Sequence, residues 1–133
     1  MKVVIDTNVL LVSIPKQSPY RVIFDHLIAK KYDLLISNEV LHEYTEIIAR
    51  KANPIVANNI AEMLLTLSNV HKHEVYYKWQ LIDADKDDNK FVDCAIAGNA
   101  DFLVSNDRHF NVLKTIEFPK LQVLTISEFI GHL

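Results

Sequence analysis

Cysteine occurs only once, at Cys94, so the chain can close no internal disulfide and can build no cysteine-rich zinc site. Folding must rest on apolar burial, and a reducing cytoplasm is the expected setting. Glycine occurs twice and proline four times, too few for collagen-like repeats, a disordered linker or a loop-dominated β-sandwich. Long apolar runs are missing too. The stretch Asp33-Leu34-Leu35-Ile36 is typical, whereas a bilayer span needs roughly 18 to 20 apolar residues. The opening run Met1–Ile5 meets Asp6 at once, so neither a membrane span nor a secretory signal is expected. No charge of one sign dominates: 14 Lys and Arg against 17 Asp and Glu give a net charge of −3. A polyanionic partner would therefore have to be met by a local patch. What is present is a 133-residue chain that is 50% apolar, the commonest size for one compact domain with its own core, and a single domain over 1–133 is expected.

Lys2-Val3-Val4-Ile5 lacks polar alternation, which predicts a strand buried on both faces, as in a parallel sheet covered by helices. Tyr20, Ile23, Phe24, Leu27 and Ile28 repeat at helical spacing after a Ser18-Pro19 start signal. A second short run, Tyr32–Ile36, predicts another strand, with Ser37 or Asn38 capping a helix lined by Val40, Leu41, Tyr44, Ile47 and Ile48. Asn53-Pro54 opens a third helix with its stripe on Val56, Ile60, Met63, Leu64 and Leu67. Val70–Tyr77 alternates weakly and reads as an edge strand. An acidic loop, Asp83–Asn89, precedes a helix carrying Phe91, Val92, Ala95 and Ile96 that stops near Gly98-Asn99. Phe102–Val104 and Leu121–Ile126 supply the last strands, and Ser127 is the expected cap of a terminal helix. Strands separated by helices predict a three-layer α/β/α sandwich with a mainly parallel central sheet.

In such a sheet, ligands bind beyond the carboxyl ends of the strands. Asp6 ends the first strand, and Asp107 follows Phe102–Val104 after Ser105-Asn106. Asp88 shares a helix face with Phe91, Val92 and Ala95, so it should look toward the sheet. Glu43 flanks the apolar face of its helix between Val40 and Ile47, whereas Glu46 projects about 160° away at 100° per residue. Two carboxylates about 4 to 5 Å apart repel by roughly 4 kcal/mol at an effective dielectric near 20, so four together call for a counter-ion. An all-oxygen ligand set suits Mg²⁺ or Mn²⁺ better than Zn²⁺. Hydrolysis of a phosphodiester is the chemistry such a site supports. Set apart from these four acids, the remainder of the chain is formally +1, which is compatible with RNA.

The stretches VVIDTNVLL (Val3–Leu11), SNEVLHEYTEII (Ser37–Ile48), DKDDNKFVDCAIAGNADFLVSNDRHF (Asp85–Phe110) and VLTISEFI (Val123–Ile130) together resemble a PIN domain, above all the bacterial toxins of toxin–antitoxin systems. The resemblance spans nearly the whole chain in order. It implies an α/β/α sandwich, a Mg²⁺ or Mn²⁺ site and ribonuclease activity on single-stranded RNA. Matched residue by residue, Asp6, Glu43, Asp88 and Asp107 would be the family's acids, and Thr7 and Ser105 the hydroxyls that hold them. Asp93 competes with Asp88 for the third role; by helical angle it lies about 130° from the centre of the Phe91–Ala95–Ile96 face, which leaves it a peripheral or second-metal acid. Asn106 stands where relatives often carry a small or basic residue.

Blander readings exist for each group. Asp6 and Asp88 can serve as caps, Glu43 can belong to a solvated face, and Thr7 and Ser105 can bond the backbone. The Asp83-x-Asp85-x-Asp87 series lacks the glycine and the terminal glutamate of a calcium loop. An aspartyl-phosphate phosphatase would want an acid where Asn8 stands. His71 and His73 fit exposed strand positions, and Cys94 a packed one. Lys90 and Arg108 are the candidate RNA contacts. The expectation is a metal-dependent endoribonuclease, with a cognate antitoxin and a homodimer as partners. The alternative is a weakly active or inactive PIN-like module that acts through a protein partner or an RNA-processing assembly, using apolar helices such as Val56–Leu67.

Overall fold

Strand β1 (Lys2–Ile5) shows why the apolar runs make a covered sheet. Val3, Val4 and Ile5 are all fully buried, and successive side chains of a strand point to opposite faces, so both faces are covered. Leu34, Leu35 and Ile36 of β2 (Asp33–Ile36) repeat this. With β3 (Val70–Lys72), β4 (Phe102–Val104) and β5 (Gln122–Leu124), they form one sheet in the order β3-β2-β1-β4-β5, every pair parallel. Val3 lies opposite Leu34 on one side and Phe102 on the other. The structure, a computed structural model, describes residues 1–133. Its helices are α1 (Thr7–Ser13), α2 (Arg21–Ile28), α3 (Asn38–Lys51), α4 (Pro54–Thr66), α5 (Asn89–Ala97) and α6 (Ile126–Gly131). The expected α/β architecture is therefore the one observed, and its sheet is wholly parallel. No helix is long and apolar enough to cross a membrane.

Local signals set most of these elements. The Ser37 hydroxyl accepts from the Val40 N–H at 3.1 Å and starts α3. Asn53 does the same for α4, accepting from the Val56 N–H at 2.9 Å ahead of Pro54, whose missing donor costs nothing in the first turn. Other positions differ from the sequence reading. The unforeseen helix α1 follows Asp6 directly, because Val9–Val12 is too short and too evenly apolar to display a helical period. The strand expected over Val70–Tyr77 pairs only through Lys72, where β2 ends at Ile36 and offers no further partner. The cap of α6 is Thr125 rather than Ser127: Thr125 and Glu128 form a reciprocal capping box that fixes the start two residues earlier. A 3₁₀ helix over Arg108–Thr115 was not anticipated either.

The winding reverses beside β1. From β1 the chain moves outward through β2 and β3, then crosses to β4 on the opposite flank. The carboxyl ends of β1 and β4 thus border the point where open α/β sheets bind ligands.

Candidate active site

The Asp6 N–H donates to the Val104 carbonyl at 3.0 Å, extending the β1–β4 pairing one step past the strands and setting Asp6 beside Ser105. The buried Ser105 hydroxyl donates to Asp6 Oδ2 at 2.7 Å and accepts from the Asp107 N–H at 3.0 Å. One hydroxyl therefore fixes the Asp6 carboxylate and the backbone that carries Asp107. Asp107 Oδ1 accepts from the His109 N–H at 2.9 Å and so starts the 3₁₀ helix, while its Oδ2 engages no side-chain donor. His109 Nδ1 lies 3.2 Å from Asp88 Oδ2 and 3.4 Å from Asp107 Oδ1. Asp88 makes no capping bond to α5, so the capping role open to it in sequence is not the one it takes.

The fourth acid comes from α3. Tyr44, fully buried, donates its hydroxyl to the Ile5 carbonyl, which ties α3 to the exit of β1. Adjacent residues follow: Glu43 comes to Thr7, whose hydroxyl donates to Glu43 Oε2, and Lys90 reaches across from α5 to Glu43 Oε1 at 2.9 Å. A cleft of about 210 Å³ brings together Asp6, Thr7, Glu43, Asp88 and Asp107. The same cleft takes in Arg50 and Lys51, which the sequence reading missed although Glu43, Ile47, Arg50 and Lys51 follow i, i+4, i+7, i+8 on one helical face. Asp85 and Asp87 also border it. One oxygen of Asp85, one of Asp88 and a ring nitrogen of His109 all lie within 4.8 Å of one another.

Two expected residues are placed otherwise. Asp93 is absent from this cleft: it turns away, where its Oδ1 accepts from the Trp79 N–H at 3.1 Å. Lys90, expected to face RNA, is only 18% exposed along its side chain and is committed to Glu43. Burial lowers the proton affinity of its ammonium, but the hydrogen bond and charge of Glu43, with Asp87 and Glu39, outweigh this and raise its pKa. Arg108 is exposed at the start of the 3₁₀ helix. Cys94 is buried in the core, as its packed reading expects.

The electrostatics are unbalanced. Burial raises the pKa of Asp6; the Ser105 hydrogen bond opposes this, and the nearby charges of Glu43 and Asp107 add to it. Asp88 is pushed up to about 6, first by burial and then by Asp85, Asp107 and Asp6, with the His109 hydrogen bond acting against them. Carboxylates held this way favour either a proton or a cation. Oxygen donors from separate elements, with hydroxyls fixing their orientation, are a donor set that fits Mg²⁺ or Mn²⁺.

The chain can be compared with known proteins on this footing. The PIN domain family matches over residues 2–109. No curated protein matches by sequence. Among solved structures, VapBC2 from Rickettsia felis bound to a DNA fragment from its promoter is similar in fold, with a TM-score of 0.65 and 21% identity over 94% of this chain and 98% of that one. FitAB bound to an IR36 DNA fragment is similar with a TM-score of 0.58 and 17% identity, over 93% of this chain and 94% of that one. With its residues 2–109 matched and its parallel sheet in place, the chain belongs to the PIN domain family.

Proposed function

We propose that this PIN domain is a Mg²⁺- or Mn²⁺-dependent endoribonuclease that hydrolyses phosphodiester bonds of single-stranded or looped RNA in the cytoplasm, as the toxin of a toxin–antitoxin pair. The observation that carries the reading is the convergence of Asp6, Glu43, Asp88 and Asp107 on one cleft at the switch point of the sheet. Asp6, Asp88 and Asp107 would hold the ion directly or through water, and Glu43, whose oxygens already accept from Thr7 and Lys90, through water. A divalent ion bound there supplies polarisation of a phosphoryl oxygen and a lowered pKa for the attacking water. The chain's own part is orientation. Ser105 sets Asp6 and the turn carrying Asp107, Thr7 and Lys90 set Glu43, and His109 sets Asp88 against Asp107. Arg50 and Lys51 on the cleft wall, with the exposed Arg108 next to Asp107 in the chain, would meet phosphates of the strand.

The toxin assignment draws on the sequence resemblance and on likeness in fold to VapBC2 and FitAB chains. A cognate antitoxin would be the protein partner. Helix α4 leaves Ile55 and Leu65 exposed, apolar surface of the kind an antitoxin segment or a second copy of the chain covers. The test is cleavage of an unstructured RNA by purified protein with Mn²⁺, with EDTA, and after Asp6→Asn. Cleavage only in the first condition supports the enzyme. Equal rates in all three refute it and leave the module that works through a partner. In cells, toxicity on expression that disappears with Asp6→Asn supports the same conclusion.

A further inference from the structure

The four acids are not equivalent. Asp6, Asp88 and Asp107 are linked through Ser105 and His109, and each keeps one carboxylate oxygen that engages no side-chain donor: Oδ1 of Asp6, Oδ1 of Asp88 and Oδ2 of Asp107. Glu43 stands apart. Both of its oxygens are taken by the chain itself, Oε2 by the Thr7 hydroxyl and Oε1 by the Lys90 ammonium at 2.9 Å. That ion pair is also sheltered, with side-chain exposures of 18% for Lys90 and 20% for Glu43. A lysine is ordinarily left in water, and withdrawing one against a cleft acid makes sense where its charge is needed in place.

We infer that Lys90, paired with the cleft acid Glu43 from the neighbouring side of the wall, is a built-in counter-ion that limits the site to one divalent cation. Four carboxylates alone would balance two divalent ions, the further cleft acids Asp85 and Asp87 being matched in number by Arg50 and Lys51. With one of the four matched by Lys90, the three aspartates are left with three negative charges, of which a single divalent ion cancels two. A second ion beside Glu43 would have to displace the ammonium or sit against it, and the repulsion between them carries twice the charge product of two monovalent ions. Lys90 is thus a positioning residue: it holds Glu43 toward Thr7 and fixes how many ions the cleft takes. This inference rests on the metal reading of the cleft given above.

The experiment is a Mn²⁺ titration of the full chain, followed by calorimetry and by the electron paramagnetic resonance signal of free Mn²⁺. The wild type is expected to take one ion. Lys90→Met is expected to take two, because Glu43 is then uncompensated, and Lys90→Arg to return to one. The pair Lys90→Met with Glu43→Gln is expected to take one, since charge and counter-charge leave together. A wild type that takes two ions overturns the counter-ion while leaving the metal site standing, and so does a folded Lys90→Met protein that still takes one. A wild type that takes none overturns the metal reading itself and the counter-ion with it. Should Lys90→Met fail to fold, Lys90→Gln gives the same discrimination, and the wild-type count remains decisive.

Discussion

Replacing Asp88 by asparagine should make the metal-free protein more stable while depriving it of a metal ligand. The folded chain raises the pKa of Asp88 from 3.8 to about 6, chiefly by burial and then by the charges of Asp85, Asp107 and Asp6. A shift of roughly two units corresponds to about 3 kcal/mol against the ionised form at pH well above 6. The carboxylate borders an open cleft, where solvent screening brings this down to about 2 to 3 kcal/mol. Asparagine has no charge to bury but makes a weaker acceptor for His109, which gives back about 1 kcal/mol. The net gain is on the order of 1 to 2 kcal/mol, or about 5 °C in Tm for a chain of this size. The sign depends on pH. Between about pH 6 and 4 the folded protein binds the proton that the unfolded chain does not, so wild-type stability improves as pH falls through this window and the advantage of the variant fades. The assay is a set of thermal melts of both proteins in EDTA from pH 7.5 to 4.5. In saturating Mn²⁺ the order should reverse, since ligand at 100 times its Kd adds about 2.7 kcal/mol to the protein that binds it. An Asp88→Asn protein that melts at or below the wild type at pH 7.5 in EDTA, or a difference independent of pH, would refute this account of the cluster.

Ser105→Ala removes the hydroxyl between Asp6 and the Asp107 N–H; it should cost about 1 to 3 kcal/mol of stability and lower Mn²⁺ affinity by about 10- to 100-fold, read by denaturant unfolding and calorimetry. Changing Arg50 and Lys51 together to alanine should raise KM for RNA far more than it lowers kcat. It should also flatten the dependence of log KM on log salt by about 1 to 2 units, measured between low and physiological salt. Asn53→Ala removes the cap of α4 at a position that does not itself line the cleft; it should lower stability by about 1 kcal/mol and leave Mn²⁺ stoichiometry unchanged.

What the sequence by itself determined is what depends on neighbours along the chain. Val3–Ile5 and Leu34–Ile36 needed only their unbroken apolar character to be read as doubly covered strands, and both are fully buried. Asn53 needed only a position ahead of a periodic face to be read as a cap, and of Ser37 and Asn38, both open as caps in sequence, it is Ser37 that accepts the N–H. The parallel order followed from alternation of strand and helix, and the placing of Asp6 and Asp107 at strand ends set them at one edge of that sheet. Only the tertiary structure decided the rest, because those outcomes depend on groups far apart in the chain. Thr7 meets Glu43 across 36 residues, Lys90 meets Glu43 across 47 and Ser105 meets Asp6 across 99. A lysine left in water and one paired with a sheltered acid look alike in sequence, since nothing local reveals the partner that makes withdrawal from water favourable. Asp93 is the converse case: an acid five residues from Asp88 is turned toward the backbone of Trp79, because a polar group on a buried helix must take whichever donor the fold brings to it.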